Sequence, residues 1–140
     1  MIESDTSFVI YSWLASHRSS PDGLAMKAHC DKEAHKRYWL GQERVAQRLV
    51  ERCTVTIAEA EIDGTPVIVG YVVGEPNLEI PVLHYVLTRR KMFRLGAATD
   101  LLMPYLEADR VLYSHRPSTR GLPIPENWAY DPYTALRHLA

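Results

Sequence analysis

Cysteine is scarce in this chain. Only Cys30 and Cys53 occur in 140 residues. Two cysteines make no disulfide framework, so a reduced, cytoplasmic setting is the expectation. No apolar run is long enough to span a bilayer. The opening MIESDTSFVIYSWLASHR lacks the basic start and long apolar stretch of a secretory leader, so no membrane partner is expected. Net charge is nearly absent: 16 Lys and Arg against 17 Asp and Glu leave −1. Whole-molecule attraction to nucleic acid is therefore not expected. There is no P-loop, no Ser/His/Asp order stands out, and neither an internal repeat nor a domain linker is visible. What remains, 46% hydrophobic and 24% charged, is ordinary for a globular protein, and the length suits a single domain over 1–140.

The order of elements follows from patterning. Phe8 to Tyr11 is a short apolar run that reads as a strand, with one or two helical turns after it to His17. SHRSSPDGLAMKAH (16–29) gathers Ser, Pro, Asp and Gly and reads as a loop. Asp31 is an N-cap candidate for a helical stretch to Arg52, in which Gly41 could mark a bend or break. Then CTVTIAEA (53–60), VIVGYVVG (67–74) and VLHYVLT (82–88) read as three strands. The connections EIDGTP and EPNLEIP are short, which implies an antiparallel meander. A helix follows from about Gly96 to Ala108, with Ala98, Leu101, Leu102 and Tyr105 on one face. Pro104 within it is expected to cause a kink. RVLYSH (110–115) reads as a further strand, parallel to the third meander strand across that helix. The remainder reads as an irregular tail with one possible helical turn, YTALRHL. The fold class is therefore α/β, with a mixed, mainly antiparallel sheet flanked by helices.

Glycine is also scarce, seven residues in all, so the stretch RLGAATDLL (94–102) is conspicuous. The first N–H groups of a helix have no intrahelical partner, and the helix dipole adds positive charge there. Gly96, Ala97 and Ala98 leave that end unblocked. Arg89, Arg90, Lys91 and Arg94 surround it with cations. A pyrophosphate would be held by the backbone from about Leu95 to Ala98. The competing reading is a close-packed helix start beside a solvated basic turn.

The order VIVGYVVGE, then LHYVLTRRKMFRLGAATDLL, resembles the central part of the GNAT N-acetyltransferase superfamily, most clearly over about residues 54–115. SWLASHR and HYV are similar to segments of small GNAT-like proteins encoded by bacteriophages. The resemblance implies a GNAT-like domain that takes acetyl-coenzyme A as donor and a protein or small-molecule amine as acceptor. It implies that the backbone around Val86, Leu87 and Thr88 bonds the pantetheine arm, and that the basic turn and the Gly96–Ala98 loop bind the pyrophosphate.

Acetyl transfer needs a base for the amine, polarisation of the thioester carbonyl and an acid for the leaving thiolate. His84 is the first candidate base, because imidazole titrates near neutrality. Glu75 and Glu79 are alternatives. Tyr113 is the first candidate acid and His115 the next. The segment 16–29 would form part of the acceptor mouth. Each has a plainer reading: His84 as a hydrogen-bonded core residue, Tyr113 as packing, the glutamates as solvated turn residues. Trp13, Trp39 and Trp128 read as core or lid. His29, Cys30 and His35 match no strong zinc spacing, and no metal is expected. Two other functions compete with the enzyme. One is a catalytically inactive GNAT-fold module, a virion component or binder of a host protein. The other is a nucleic-acid contact through RRKMFR, which the neutral charge disfavours. The aromatics of the tail leave a homodimer open.

Overall fold

The computed structural model describes residues 3–88, 97–116 and 124–139. Three helices lead: α1 (Glu3–Arg18), α2 (Pro21–His29) and α3 (Lys32–Arg52). The strand expected at Phe8–Tyr11 is instead part of α1. Val9, Trp13 and His17 repeat every fourth residue and are all buried, at 0%, 1% and 2% exposure, so the face they form is helical. The loop expected over 16–29 is mostly α2. Ser20 caps it by accepting from Gly23 N–H at 3.1 Å, and Pro21 and Asp22 occupy its first turn. That is a helix-start signal, and it outweighs the breaker reading of the same residues. Gly23 sits where a Cβ would collide with the carbonyls of His17 and Arg18, so the corner between α1 and α2 needs glycine. Asp31 caps α3 as expected, accepting from Ala34 N–H at 2.7 Å. Gly41 causes no break in it.

Next come β1 (Thr54–Ile62), β2 (Thr65–Glu75) and β3 (Val82–Thr88), antiparallel neighbours in sequence order. Asp63 and Gly64 form the two-residue turn between β1 and β2, both with positive φ, 51° and 78°. This is the backbone that Asp-Gly favours in a hairpin. The crossover helix α4 (Ala97–Leu106) leads to β4 (Val111–Tyr113), which pairs parallel to β3. Pro104 lies inside α4. The tail is more regular than the sequence suggests. It contributes β5 (Trp128–Tyr130), parallel to β4, and α5 (Tyr133–Leu136). The result is a five-stranded mixed sheet in the order β1-β2-β3-β4-β5.

Two apolar clusters hold the layers together. On one side Val9, Trp13, Ala46, Leu49 and Ala135 pack on Tyr71, Val73 and Tyr85. On the other, Leu101, Leu102 and Tyr105 of α4 pack on Val72, Leu83 and Val111. Each such side chain contributes roughly 1.5–3 kcal/mol of burial. α4 lies close because β2 presents glycines to it. A Cβ at Gly74 would collide with the Tyr105 hydroxyl and the Val82 carbonyl. Among the described residues no helix is long and apolar enough to cross a membrane.

Candidate functional site

The centre of the candidate site is a fault in the β2–β3 ladder. Val73 pairs with Tyr85, but Gly74 pairs with Leu83. His84 is therefore an extra residue opposite no partner, a β-bulge. The bulge resets the alternation, so Leu83 joins the α4-side cluster while Tyr85 joins the cluster under α1 and α3. It also turns the fully buried His84 side chain into a polar chain. His84 Nε2 lies 2.8 Å from Glu75 Oε2, and Nδ1 lies 2.7 Å from Ser114 Oγ.

Proton positions follow from what each group can do. An ionised carboxylate only accepts, so Nε2–H of neutral His84 donates to Glu75. Nδ1 then accepts from the Ser114 hydroxyl. Ser114 Oγ is also 2.9 Å from His115 Nδ1, and accepts its proton. Glu75 is held further by Arg137 at 2.7 Å and by His138 at 3.1 Å. Burial pushes the Glu75 carboxyl up, but the bonds from Arg137, His84 and His138 together outweigh it and hold the group below its ordinary range. Burial pushes His84 down, against the pull of Glu75, so the pair is a hydrogen bond from a neutral ring. Burial pushes His115 down to about 3, with His17 and His84 adding to the effect. Burial also lowers His17, whose Nε2 lies 2.7 Å from the Tyr38 hydroxyl. Cys53 Sγ, at the end of α3, lies 3.8 Å from His138 Nε2. Burial raises its thiol to about 12, with Glu75 adding.

Ser114 carries this chain to a cavity of about 440 Å³, lined among others by His17, Asp22, Tyr38, Ser114, His115 and Tyr130. α2 forms part of its wall, and Asp22 of α2 is ion-paired with Arg116 just beyond β4. Arg116 in turn lies over the Tyr130 ring at 5.6 Å.

The second feature is a fork. β3 and β4 pair at only two rungs, Val82 with Leu112 and Leu83 with Tyr113. Past Leu83 the β3–β4 ladder ends among the described residues, while β3 runs on to Thr88. Thr88 is buried, and its Oγ1 has no hydrogen-bond partner among them.

Of the residues singled out from sequence, His84 and Glu75 are brought together. Glu79 is exposed in the β2–β3 connection. Tyr113 packs with the α4-side cluster, its ring 5.5 Å from that of Tyr130, while its neighbour Ser114 bonds His84. Val86, Leu87 and Thr88 lie past the last β4 rung, on the part of β3 that pairs with β2. Arg89, Arg94, Leu95 and Gly96 fall outside the described residues; Ala97 and Ala98 open α4. His29, Cys30 and His35 join no cluster of metal-ligating side chains among the described residues. Sequence reasoning missed Cys53, Ser114, Arg137 and His138. Ser114 had a signal, since it adjoins both Tyr113 and His115 on an expected strand; the other three had none.

Comparison of the chain with protein-family models, with curated proteins and with solved structures gives no match.

Proposed function

We propose that this protein is an acetyl-coenzyme A-dependent N-acetyltransferase, GNAT-like in architecture, acting on an amine of a protein or small molecule. The fork between β3 and β4 carries the reading. Among the described residues the ladder ends after two rungs, and the β3 edge at Val86 to Thr88 offers backbone N–H and C=O groups to a further extended chain. An extended amide arm such as pantetheine supplies them, as added strands do elsewhere. The buried Thr88 hydroxyl, without a partner among the described residues, is a further group such an arm would satisfy. α4 begins beyond the open end of the fork, and its first N–H groups suit the diphosphate.

The proton path uses Ser114, His84 and Glu75, which are already in contact. An amine in the cavity attacks the thioester carbonyl carbon, whose oxygen is polarised by N–H groups of the β3 edge at Val86 to Thr88. The amine proton passes to Ser114 Oγ as the serine proton passes to His84 Nδ1. Glu75 accepts from Nε2–H throughout and stabilises the imidazolium. The carbon–sulfur bond breaks, and the sulfur takes its proton from Tyr113, which sits at the last paired rung of the fork.

Thermal unfolding with and without acetyl-coenzyme A tests the cofactor. At about a hundred times its dissociation constant the ligand should add ~2.7 kcal/mol of stability. Thiol release in the presence of amines tests the transfer. No thermal shift overturns the reading. A shift with no thiol release from any amine overturns the enzyme and leaves the module that binds its cofactor without turnover.

A further inference from the structure

Cys53, Glu75, His84 and His138 come from four different parts of the chain: the end of α3, the end of β2, the bulge of β3 and the residues just after α5. One donor atom from each lies within 4.8 Å of all the others. We propose that these four side chains bind one zinc ion, through Cys53 Sγ, a Glu75 oxygen, His84 Nε2 and His138 Nε2.

The donor set suits zinc. One thiolate, two imidazoles and one carboxylate make a borderline-soft tetrahedral site. Bonds of about 2.0 Å to nitrogen and oxygen and about 2.3 Å to the one sulfur put neighbouring donors roughly 3.3–3.5 Å apart. His84 Nε2 stands 2.8 Å from one Glu75 oxygen, His138 Nε2 3.1 Å from the other, and Cys53 Sγ 3.8 Å from His138 Nε2. Small side-chain rotations therefore complete the tetrahedron. The cluster is also shielded without being sealed: the His84 side chain is 0% exposed, Glu75 16% and His138 14%. An ion has a way in along the last two.

The surrounding contacts do what an outer shell does for a metal. Arg137 bonds the Glu75 carboxylate at 2.7 Å and fixes its direction. Ser114 Oγ lies 2.7 Å from the His84 nitrogen that faces away from the ion. On binding, Cys53 releases its thiol proton to solvent. The His84 ring stays neutral with its proton on Nδ1, donated to Ser114. Thiolate and carboxylate then balance the two charges of the ion. The proposal does not depend on the transferase reading, and the two uses of His84 exclude each other. A ring with metal on Nε2 and a proton on Nδ1 accepts no proton from an amine, so a loaded transferase would be idle.

The experiment uses the full chain, reduced and stripped with EDTA, titrated with zinc by calorimetry. One zinc per chain is expected, with affinity at least tenfold lower in Cys53→Ser and in His138→Gln and unchanged in Cys30→Ser. Cobalt in place of zinc should give an intense tetrahedral visible spectrum and a thiolate-to-cobalt band that Cys53→Ser abolishes. Zinc should raise the unfolding midpoint of the parent chain, and EDTA should reverse it. If a variant fails to fold, the cobalt spectrum of the parent chain decides alone. Absence of stoichiometric binding, equal binding by both variants, or a cobalt spectrum without the thiolate band overturns the site. Acetyl-coenzyme A binding is unaffected by that failure, so the two proposals fall separately.

Discussion

Ser114 Oγ lies 2.7 Å from His84 Nδ1, on the side of the ring opposite Glu75, and the same serine lines the cavity. The histidine itself is fully buried. Anything in the cavity that exchanges a proton with His84 therefore does so through this hydroxyl. His84→Gln removes the base while keeping polar bulk, and turnover should fall 10²–10⁴-fold, the usual range for a general base. Ser114→Ala should lower kcat more than it changes the KM for acetyl-coenzyme A. Steady-state kinetics with each substrate varied in turn check both.

Acid should unfold this protein early. His17, His84 and His115 are each pushed below the ordinary histidine value of about 6.5, chiefly by burial. A histidine that is neutral when folded and protonates readily when unfolded loses stability as pH falls below 6.5. For His115 the loss continues to about pH 3, where the folded ring also protonates. His115 removes about 1.4 kcal/mol per pH unit between its unfolded and folded values, and His17 and His84 act in the same direction. Urea midpoints at pH 7.5, 6 and 5 should drop steeply over the last interval. A flat profile from pH 7 to 5 would contradict the buried neutral rings.

Gly74→Ala should destabilise by roughly 1–3 kcal/mol, because the new Cβ meets the Tyr105 hydroxyl and the Val82 carbonyl. Tyr105→Phe removes one of those two obstacles. Combined with Gly74→Ala, it should recover part of the loss. A double-mutant cycle read by denaturant unfolding measures the coupling.

Ser20→Ala should cost about 1 kcal/mol, within the range of lost N-caps. The side chain accepts from Gly23 N–H and also lies 3.2 Å from His17 Nδ1. Ser20→Asp should keep the cap and lose the hydroxyl's donation to the His17 carbonyl. Loss of the same stability in both variants would assign the effect to the histidine and not to the helix end.

The meander was legible because β-branched runs and an Asp-Gly turn state their own conformation, and the parallel neighbour followed from the crossover helix. The first thirty residues were misread for a definite reason. Val9 and Ile10 look like strand residues over four positions, and only the wider spacing of Val9, Trp13 and His17 reveals a helix. Ser-Pro-Asp serves equally as a turn or as a helix start, and nothing local separates the two. β5 is three residues long and owes its pairing to β4, so no periodicity announces it. At the site, His84 and Glu75 were found by chemistry and by proximity to one turn. Arg137, His138 and Cys53 were not, because they meet Glu75 only through tertiary packing from distant parts of the chain.

The bulge at His84 has a mechanical consequence. Excising that one residue would remove the imidazole and the fault together. Leu83 and Tyr85 would become neighbours on opposite faces, as they already stand, so Tyr85 would keep its parallel stack on Trp13, 4.7 Å between ring centres. Flattening the bulge with the residue kept would instead put Leu83 and Tyr85 on one face, so the sidedness of the strand rests on the extra residue staying out of register.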